Sequence, residues 1–129
     1  MYKKALVGTD IEGGKRLVEA LDKANLQITA ALWWFDPEIE RWKLIISSPK
    51  LKRADSTTAY GLIQRILLGM QQRPDIRLDE IVIEDPESPL IATLARSVHT
   101  GPQDLADIRL SSTAVDSIWV EEAHVYRLT

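Results

Sequence analysis

Apolar residues that recur every three or four positions predict three amphipathic helices. The first covers Asp10–Asn25, the second covers Ala54–Arg73, and the third runs from Ser88 to about Val98. Each of these helices has an apolar face that can pack against a sheet and a polar face that meets water. We expect the three helices to pack on one face of a sheet.

Polar residues at the predicted helix starts support these boundaries. Thr9 and Glu12 have the spacing of a capping box, in which each side chain accepts a hydrogen bond from the backbone N–H of the other residue. Asp55, or the serine after it, can cap the second helix. Ser88 is an N-cap candidate for the third helix, and Pro89 suits the first helical position.

Runs of β-branched and aromatic residues predict the strands. Gln27–Asp36 and Arg41–Ser48 are joined by turn residues that begin with Asp36-Pro37, which predicts a β-hairpin. Tyr2–Val7 is compatible with either a short edge strand or a mobile terminus. The other predicted strands are Ile76–Ile83, Ile108–Leu110, Val115–Val120 and Ala123–Leu128.

The order of these elements, α-β-β-α-β-α-β-β-β, favours the α+β class, because the strands come in hairpins rather than in strict β-α-β alternation. We expect a mainly antiparallel sheet of about five to six strands with three helices. The sequence contains no internal repeat, low-complexity tract or linker. Residues 1–129 are therefore predicted to form a single domain.

Composition narrows the functional classes. The chain has 129 residues, no cysteine, a hydrophobic fraction of 45% and a formal net charge of −3. These values are typical of a globular domain, and the missing cysteine excludes a disulfide scaffold, a thiolate metal site and a cysteine nucleophile. No apolar run is long enough to span a membrane, and the amino terminus lacks a signal-peptide pattern. We expect a soluble, cytoplasmic protein of bacterial type.

Charge is divided unevenly along the chain. Residues 1–73 hold twelve basic and eight acidic residues, whereas residues 74–129 hold four and eleven, so the two parts carry +4 and −7. The acidic total argues against a general nucleic-acid binder, for which a basic domain is expected. A local basic patch in the first part is still possible on these numbers.

Half of the eight aromatic residues lie inside the predicted hairpin, in ten consecutive positions. They are Trp33, Trp34, Phe35 and Trp42. Because side chains alternate along a strand, Trp34 lies on one face and Trp33 and Phe35 lie on the other. If even positions pair with even positions, Trp34 packs beside Trp42 in the core. The second face then holds Trp33 and Phe35 together with Arg41 and Lys43.

Three interpretations of this hairpin stay open. Core packing comes first, because aromatic side chains most often serve packing. A protein interface comes second, and a single-stranded nucleic-acid platform, where bases stack on rings and cations meet phosphates, comes third. A register slip by one residue would swap the two faces. The candidate binding residues are Trp33, Phe35, Arg41, Trp42, Lys43, Lys50, Lys52 and Arg53.

Motifs for catalysis or metal binding are weak. Gly8, Gly13 and Lys15 approximate a phosphate-binding loop, but the lysine comes one position late, and a helix with a loose first turn explains the same residues. His99 and His124 lie 25 residues apart, and neither has a neighbouring histidine or cysteine. We therefore predict no catalytic residue, no metal site and no cofactor.

An acidic segment around the third strand offers a catalytic alternative. Asp79, Glu84 and Asp85 could hold Mg²⁺ in a phosphodiesterase or nuclease, in which strand carboxylates bind the metal. The simpler interpretation is that these acids are solvated strand ends. In that case Asp85 and Glu87 favour the start of the third helix through its dipole.

Several stretches resemble a group of small bacterial proteins of uncharacterised function. They are Asp10-Ile11-Glu12-Gly13-Gly14 with the helix after it, the hairpin sequence TAALWWFDPEIERWKLIISSP, the loop His99-Thr100-Gly101-Pro102 and the ending Val125-Tyr126-Arg127-Leu128. The likeness spans most of the chain and includes no catalytic signature. The resemblance implies a recurrent small α+β domain and implies nothing about a substrate.

The leading functional hypothesis is a non-enzymatic protein-interaction or accessory module that acts through the aromatic hairpin surface and self-associates as a homodimer. An exposed patch around Trp33, Phe35 and Trp42 would drive association by burial of apolar surface. The alternatives are a nucleic-acid-associated protein that uses the same face and an Mg²⁺-dependent enzyme that uses the acidic segment. No membrane partner is expected.

Overall fold

The computed structural model describes residues 5–129, which form one five-stranded sheet with helices packed on both faces. The predicted α+β class is confirmed. Residues 1–4, which carry half of the predicted strand Tyr2–Val7, lie outside the described residues, and Ala5–Val7 belong to no strand. The elements are α1 (Gly8–Lys23), β1 (Ala30–Asp36), β2 (Arg41–Ser47), α2 (Pro49–Arg53), α3 (Ser56–Gly69), β3 (Ile81–Glu84), α4 (Pro89–Ser97), β4 (Ile108–Val115) and β5 (Ile118–Leu128).

The sheet is mixed, with strand order β3-β2-β1-β5-β4. The pairs β1–β2, β1–β5 and β4–β5 are antiparallel, whereas β3 pairs parallel to β2. The parallel pair arises because α2 and α3 carry the chain from the end of β2 back to the level where β2 starts. A crossover of this length between parallel strands commonly contains helix.

Helix α1 begins earlier than the sequence pattern predicts. The predicted capping box of Thr9 and Glu12 is wrong, because Thr9 lies inside the helix, which starts at Gly8. The carboxylate of Asp10 instead accepts a hydrogen bond from the backbone N–H of Val7, 3.1 Å away. A carboxylate in the first turn also interacts favourably with the helix dipole.

Serine and aspartate caps begin the other helices. The predicted caps of α3 and α4 are confirmed, since Asp55 accepts from the N–H of Thr58 and Ser88 accepts from the N–H of Ile91. The short helix α2, which the sequence analysis did not predict, is capped by Ser48 and begins at a proline. Helix α3 ends at Gly69, four residues before its predicted end.

The carboxyl-terminal part of the chain forms two strands rather than the predicted three. The segments predicted as Val115–Val120 and Ala123–Leu128 merge into the long strand β5, because the tight turn lies at Asp116 and Ser117. Strand β3 is also shorter than predicted. It begins at Ile81 after a single turn of 3₁₀ helix, Leu78–Glu80.

Two apolar cores lie on opposite faces of the sheet, which contradicts the expectation that all helices share one face. On the first face, α1 and α3 contribute Leu17, Leu21 and Ile63. On the second face, α4 contributes Ile91 and Leu94. The central strands are apolar on both sides because both sides are covered. In residues 5–129 no helix is long and apolar enough to cross a membrane.

Candidate functional site

The register of the β1–β2 hairpin decides where its aromatic residues lie. Phe35 is directly opposite Trp42, and Trp33 is opposite Leu44, so odd positions pair with even positions. The even-with-even register that would join Trp34 to Trp42 is therefore wrong. Residues that face each other across an antiparallel pair share a face, so Trp33, Phe35 and Trp42 lie together on the face covered by α1 and α3.

These three side chains are buried, with exposed fractions of 2% for Trp33, 3% for Phe35 and 9% for Trp42. The rings of Phe35 and Trp42 meet edge to face, with centroids 5.3 Å apart. This geometry favours aromatic pairs because it sets a positive ring edge against a negative ring face. The expected exposed aromatic patch is therefore wrong, and core packing, the first of the three interpretations, describes these residues.

The five candidate basic residues fall into two separate groups. Arg41 and Lys43 lie at the tip of the hairpin, whereas Lys50, Lys52 and Arg53 lie on α2 at the other end of β2. Seven residues of extended strand separate the groups by about 20 Å. The structure therefore does not bring the predicted basic residues together on one face.

Most of these cations already have partners within the chain. The ammonium of Lys43 lies 3.8 Å from the carboxylate of Asp36, and that of Lys50 donates to the carbonyl oxygen of Asn25. Lys52 lies 3.2 Å from Glu87 and 3.3 Å from Asp85. These contacts reduce the positive charge that a phosphate backbone would meet.

The Lys52 cluster shifts the ionisation of its members. Hydrogen bonds to Glu87 and then to Asp85 raise the pKa of Lys52. The backbone N–H of Glu87, followed by Lys52, lowers the pKa of Asp85. Both shifts favour the charged forms, as expected of an ion pair in water at the surface. This arrangement ties α2 to the loop before α4.

The acidic segment does not converge on one point. Asp79 lies before β3 and pairs with Arg77 at 2.5 Å, whereas Asp85 lies after β3 and pairs with Lys52. Across residues 5–129 no group of three histidine or acidic side chains is arranged to hold a metal ion. The glycines of the approximate phosphate loop are likewise packed within α1, where Gly13 and Gly14 are buried.

A groove of about 550 Å³ opens at the tip of the hairpin, and we call it the hairpin-tip groove. It lies where β2 extends past the start of β3, between the hairpin turn, the segment before β3 and the start of α1. The predicted residues Arg41, Trp42, Lys43 and Trp33 all border it. Its lining is Leu6, Asp10, Trp33, Ile39, Glu40, Arg41, Trp42, Lys43, Asp75, Arg77, Asp79 and Glu80.

Charges in the hairpin-tip groove divide into engaged and unpaired groups. Engaged side chains include Asp10, which caps α1, and Glu80, which accepts from the backbone N–H of Arg77 at 2.8 Å. Among the described residues, Glu40, Arg41 and Asp75 form no ion pair. The lining holds five acidic and three basic residues, so the groove is acidic overall and has side chains ready to meet a partner.

The backbone of Glu40 is unusual for its residue type. Its φ of 52° lies in the left-handed region, which costs an L-residue roughly 1–2 kcal/mol and suits glycine or asparagine. A glutamate at this position lowers the stability of the fold, and Glu40 lines the groove. Strained residues of this kind concentrate at functional sites.

The floor of the groove is rigid. The indole N–H of Trp33 donates to the hydroxyl of Tyr126 at 3.0 Å, and this hydroxyl donates to the carbonyl oxygen of Ile11 at 2.6 Å. Burial strongly raises the pKa of Tyr126, so the phenol stays protonated and keeps this bond. The network joins β1, β5 and α1 beneath the groove.

Sequence reasoning identified part of this site and missed the rest. Ile39, Glu40 and Asp75 were not singled out, because each lies in a connecting segment without a recognised motif. One signal was available in the sequence. An isoleucine in a polar hairpin turn indicates that its side chain is either packed against the protein or available to a binding partner. Ile39 is 51% exposed.

Comparisons with known proteins add no functional information. No protein-family model, no curated protein and no solved structure matches the chain.

Proposed function

We propose that this protein is a non-enzymatic, cytoplasmic protein-interaction module that binds a basic segment of a partner protein in the hairpin-tip groove. The observation that carries the proposal is a set of charges in an acidic groove, above all Glu40 and Asp75, that form no ion pair with any residue from 5 to 129. Complementary charge at an interface speeds encounter and selects the partner. The proposal keeps the interaction role expected from the sequence and moves it from the buried rings to the groove beside them.

Apolar and charged groups alternate around the groove in a way that suits a polypeptide. Ile39 exposes about half of its surface at the rim, and Arg41 can meet an acidic side chain or a carbonyl oxygen of the partner. Protein interfaces combine an apolar centre with a polar rim in this manner. Because acidic residues outnumber basic ones, a lysine- or arginine-rich segment fits better than an acidic one.

The other two hypotheses have weaker support. A nucleic-acid role needs a continuous basic surface, and the candidate cations are divided between two ends of β2 and largely paired. An Mg²⁺-dependent role needs converging carboxylates, and Asp79 and Asp85 lie at opposite ends of β3.

Binding of short peptides of opposite charge tests the proposal. We expect fluorescein-labelled hexapeptides that contain two arginines and one leucine to bind, and matched peptides with glutamate in place of arginine not to bind. Affinity should fall as salt rises, because the charges are exposed and screened. The double variant Glu40→Lys with Asp75→Lys should weaken binding by about tenfold, which corresponds to about 1.4 kcal/mol.

Glu19→Lys is the control for charge reversal away from the groove, since it reverses one carboxylate, against two in the double variant, at an exposed position of α1. It should bind the basic peptides as tightly as the unmodified protein does. The proposal fails if acidic peptides bind as well as basic ones, or if the double variant and the control lose affinity equally.

A further inference from the structure

The two edge strands of the sheet differ in length and in how their outward backbone groups are hydrogen bonded. At one edge β3 is only four residues long, and its outward N–H at Ile83 donates to the hydroxyl of Tyr60 at 3.0 Å. At the other edge β4 is eight residues long. In the described part of the chain, no group outside the sheet hydrogen bonds to β4. An open edge of this length is a template for another strand.

The usual protections of an edge are sparse along β4. Its sequence IRLSSTAV has no lysine and no proline, and Arg109 is its one charged residue. Ser112 has a left-handed φ of 44°, and the pairing of β4 with β5 runs from Ser111 to Thr113 without including it. Such an irregularity bends an edge, but a regular segment lies on each side of it, Ile108–Ser111 and Thr113–Val115.

Ser112 also shifts the alternation of side chains along the strand. Before it, the even-numbered Ile108 and Leu110 pack toward the core beneath α4, whereas after it the odd-numbered Val115 does so. In an antiparallel pair, opposite residues share a face. Pairing that uses both segments of a second copy of β4 therefore matches faces when residues from the first segment oppose residues from the second, as Leu110 does opposite Val115.

Charge chooses between the two registers that match faces in this way. One register sets Ile108 opposite Val115, and it also sets Asp107 opposite Asp116 of the other copy at both ends. The other sets Leu110 opposite Val115 and Ser111 opposite Ala114. It also sets Arg109 opposite Asp116, whose carboxylate lies 3.7 Å from Arg96 of its own chain, so that opposite charges meet at both ends by symmetry. Like charges directly opposite are destabilising, and opposite charges are favourable.

We propose that a second copy of this chain pairs antiparallel with β4, with Arg109 of each copy beside Asp116 of the other. The two sheets then become continuous across a twofold axis, the symmetry most common among homodimers. Trp119, which is 56% exposed and lies opposite Ala114 on β5, borders this junction. Pairing through one strand buries a small area, so the dimer forms reversibly and depends on concentration.

Cysteine trapping tests the register, because the chain has no cysteine of its own. Ser111→Cys protein is mixed with Ala114→Cys protein under mild oxidation. We expect a disulfide-linked heterodimer, because directly opposite residues of two strands have Cα atoms about 4.5–5.5 Å apart, within disulfide range. Each variant alone should cross-link poorly, since identical positions lie three residues apart along the strands. Ser56→Cys, at an exposed position on α3, is the control and should not cross-link with either variant.

Charge exchange provides a second readout that does not need a cross-link. By sedimentation equilibrium, Arg109→Asp should raise the dimer Kd by about tenfold, because two attractive pairs become repulsive. The double variant Arg109→Asp with Asp116→Arg should restore the original Kd. A monomer at every concentration, or a dimer that neither traps 111 with 114 nor responds to Arg109→Asp, overturns the proposal. Peptide binding in the hairpin-tip groove is measured separately and is unaffected by either result.

Discussion

Gly14 sets how closely α1 approaches the sheet. A Cβ atom at this position would lie 2.8 Å from the indole nitrogen of Trp33 and closer still to the hydroxyl oxygen of Tyr126. Both of these groups belong to the buried network that also holds the carbonyl of Ile11. The glycine therefore serves close packing between helix and sheet, and the phosphate-loop interpretation of this region is not needed.

Gly14→Ala should lower the free energy of unfolding by about 1–3 kcal/mol, because an added methyl group overpacks a rigid site. Urea unfolding followed by tryptophan fluorescence measures the change. Gly61→Ala is the matched control, since no atom lies within 4 Å of its added Cβ and the residue is exposed in α3. It should stabilise the protein by about 0.5–1 kcal/mol through helix propensity. Equal effects at both positions would contradict the packing account.

We expect the glutamate at position 40 to favour peptide binding and to lower the stability of the fold. Glu40→Gly should raise the free energy of unfolding by about 0.5–1 kcal/mol by removing left-handed strain, and it should weaken binding of basic peptides. Gln27→Gly is the control, because Gln27 is exposed, has a φ of 53° and lies outside the groove. It should gain stability with no loss of binding. If Glu40→Gly binds as well as the unmodified protein, Glu40 has no part in recognition.

At the scale of elements, two helices begin with the same Ser-Pro pair. The sequence pattern predicts a helix start at Ser88-Pro89, whereas it predicts a strand that ends at Ser48 and no helix at Pro49. The hydroxyl of Ser48 accepts from the N–H of Lys50 and of Leu51 and donates to the carbonyl of Leu26. Helix α2 is thus fixed at the point where β2 leaves the sheet.

The two serines should differ in their contribution to stability. Ser48→Ala should cost about 2 kcal/mol, because it leaves buried backbone groups unsatisfied. Ser88→Ala should cost about 1 kcal/mol, which is typical of a lost N-cap at a partly exposed site. Chemical denaturation of the two variants measures the difference. A larger loss for Ser88→Ala would show that the cap of α2 is not the stronger of the two.

Local patterns in the sequence predicted the helices and the hairpin because caps, turns and apolar periodicity act within a few residues. The register could not be predicted in the same way. Shifting β2 by one residue moves Trp42 from one face to the other, and both faces of the hairpin are apolar enough to be buried. The parallel position of β3 and the placement of α4 on the opposite face depend on contacts between distant residues.

The candidate site, like the fold, could be predicted only where it depends on neighbouring residues. Arg41 and Lys43 were identified because they neighbour a conspicuous aromatic run, but their surroundings come from segments far away in the chain. Asp75 lies 34 residues after Arg41, and the two line the same groove only because β3 is placed beside β2. No spacing rule links these two residues, so the groove could be seen only in the folded protein.

At the scale of the whole molecule, the two proposed binding surfaces lie toward opposite edges of the sheet. The hairpin-tip groove lies at the junction of β2 and β3, whereas the open edge is β4, beyond β1 and β5. A protein that binds a basic segment at one side and a second copy of itself at the other would present two binding sites per dimer. Two linked sites strengthen attachment to a partner that carries two basic segments.

Part of the acidic excess after residue 73 lies at the hairpin-tip groove. Asp75, Asp79 and Glu80 belong to this part of the chain and line one wall of the groove. Arg41 and Lys43 come from the basic part and line the same groove. Folding therefore mixes the two parts at the groove, and its net charge is set by how many acids come from the second part.

The most direct test of the central claim is an amide chemical-shift titration of isotope-labelled protein with the arginine-containing hexapeptides. We expect saturable shifts at residues 39–43 and 75–80, with no comparable shifts on α2 or on β4. Shifts that fall mainly on Lys50, Lys52 and Arg53, or that are absent from residues 39–43 and 75–80 at saturation, would contradict the claim that the hairpin-tip groove is the binding site.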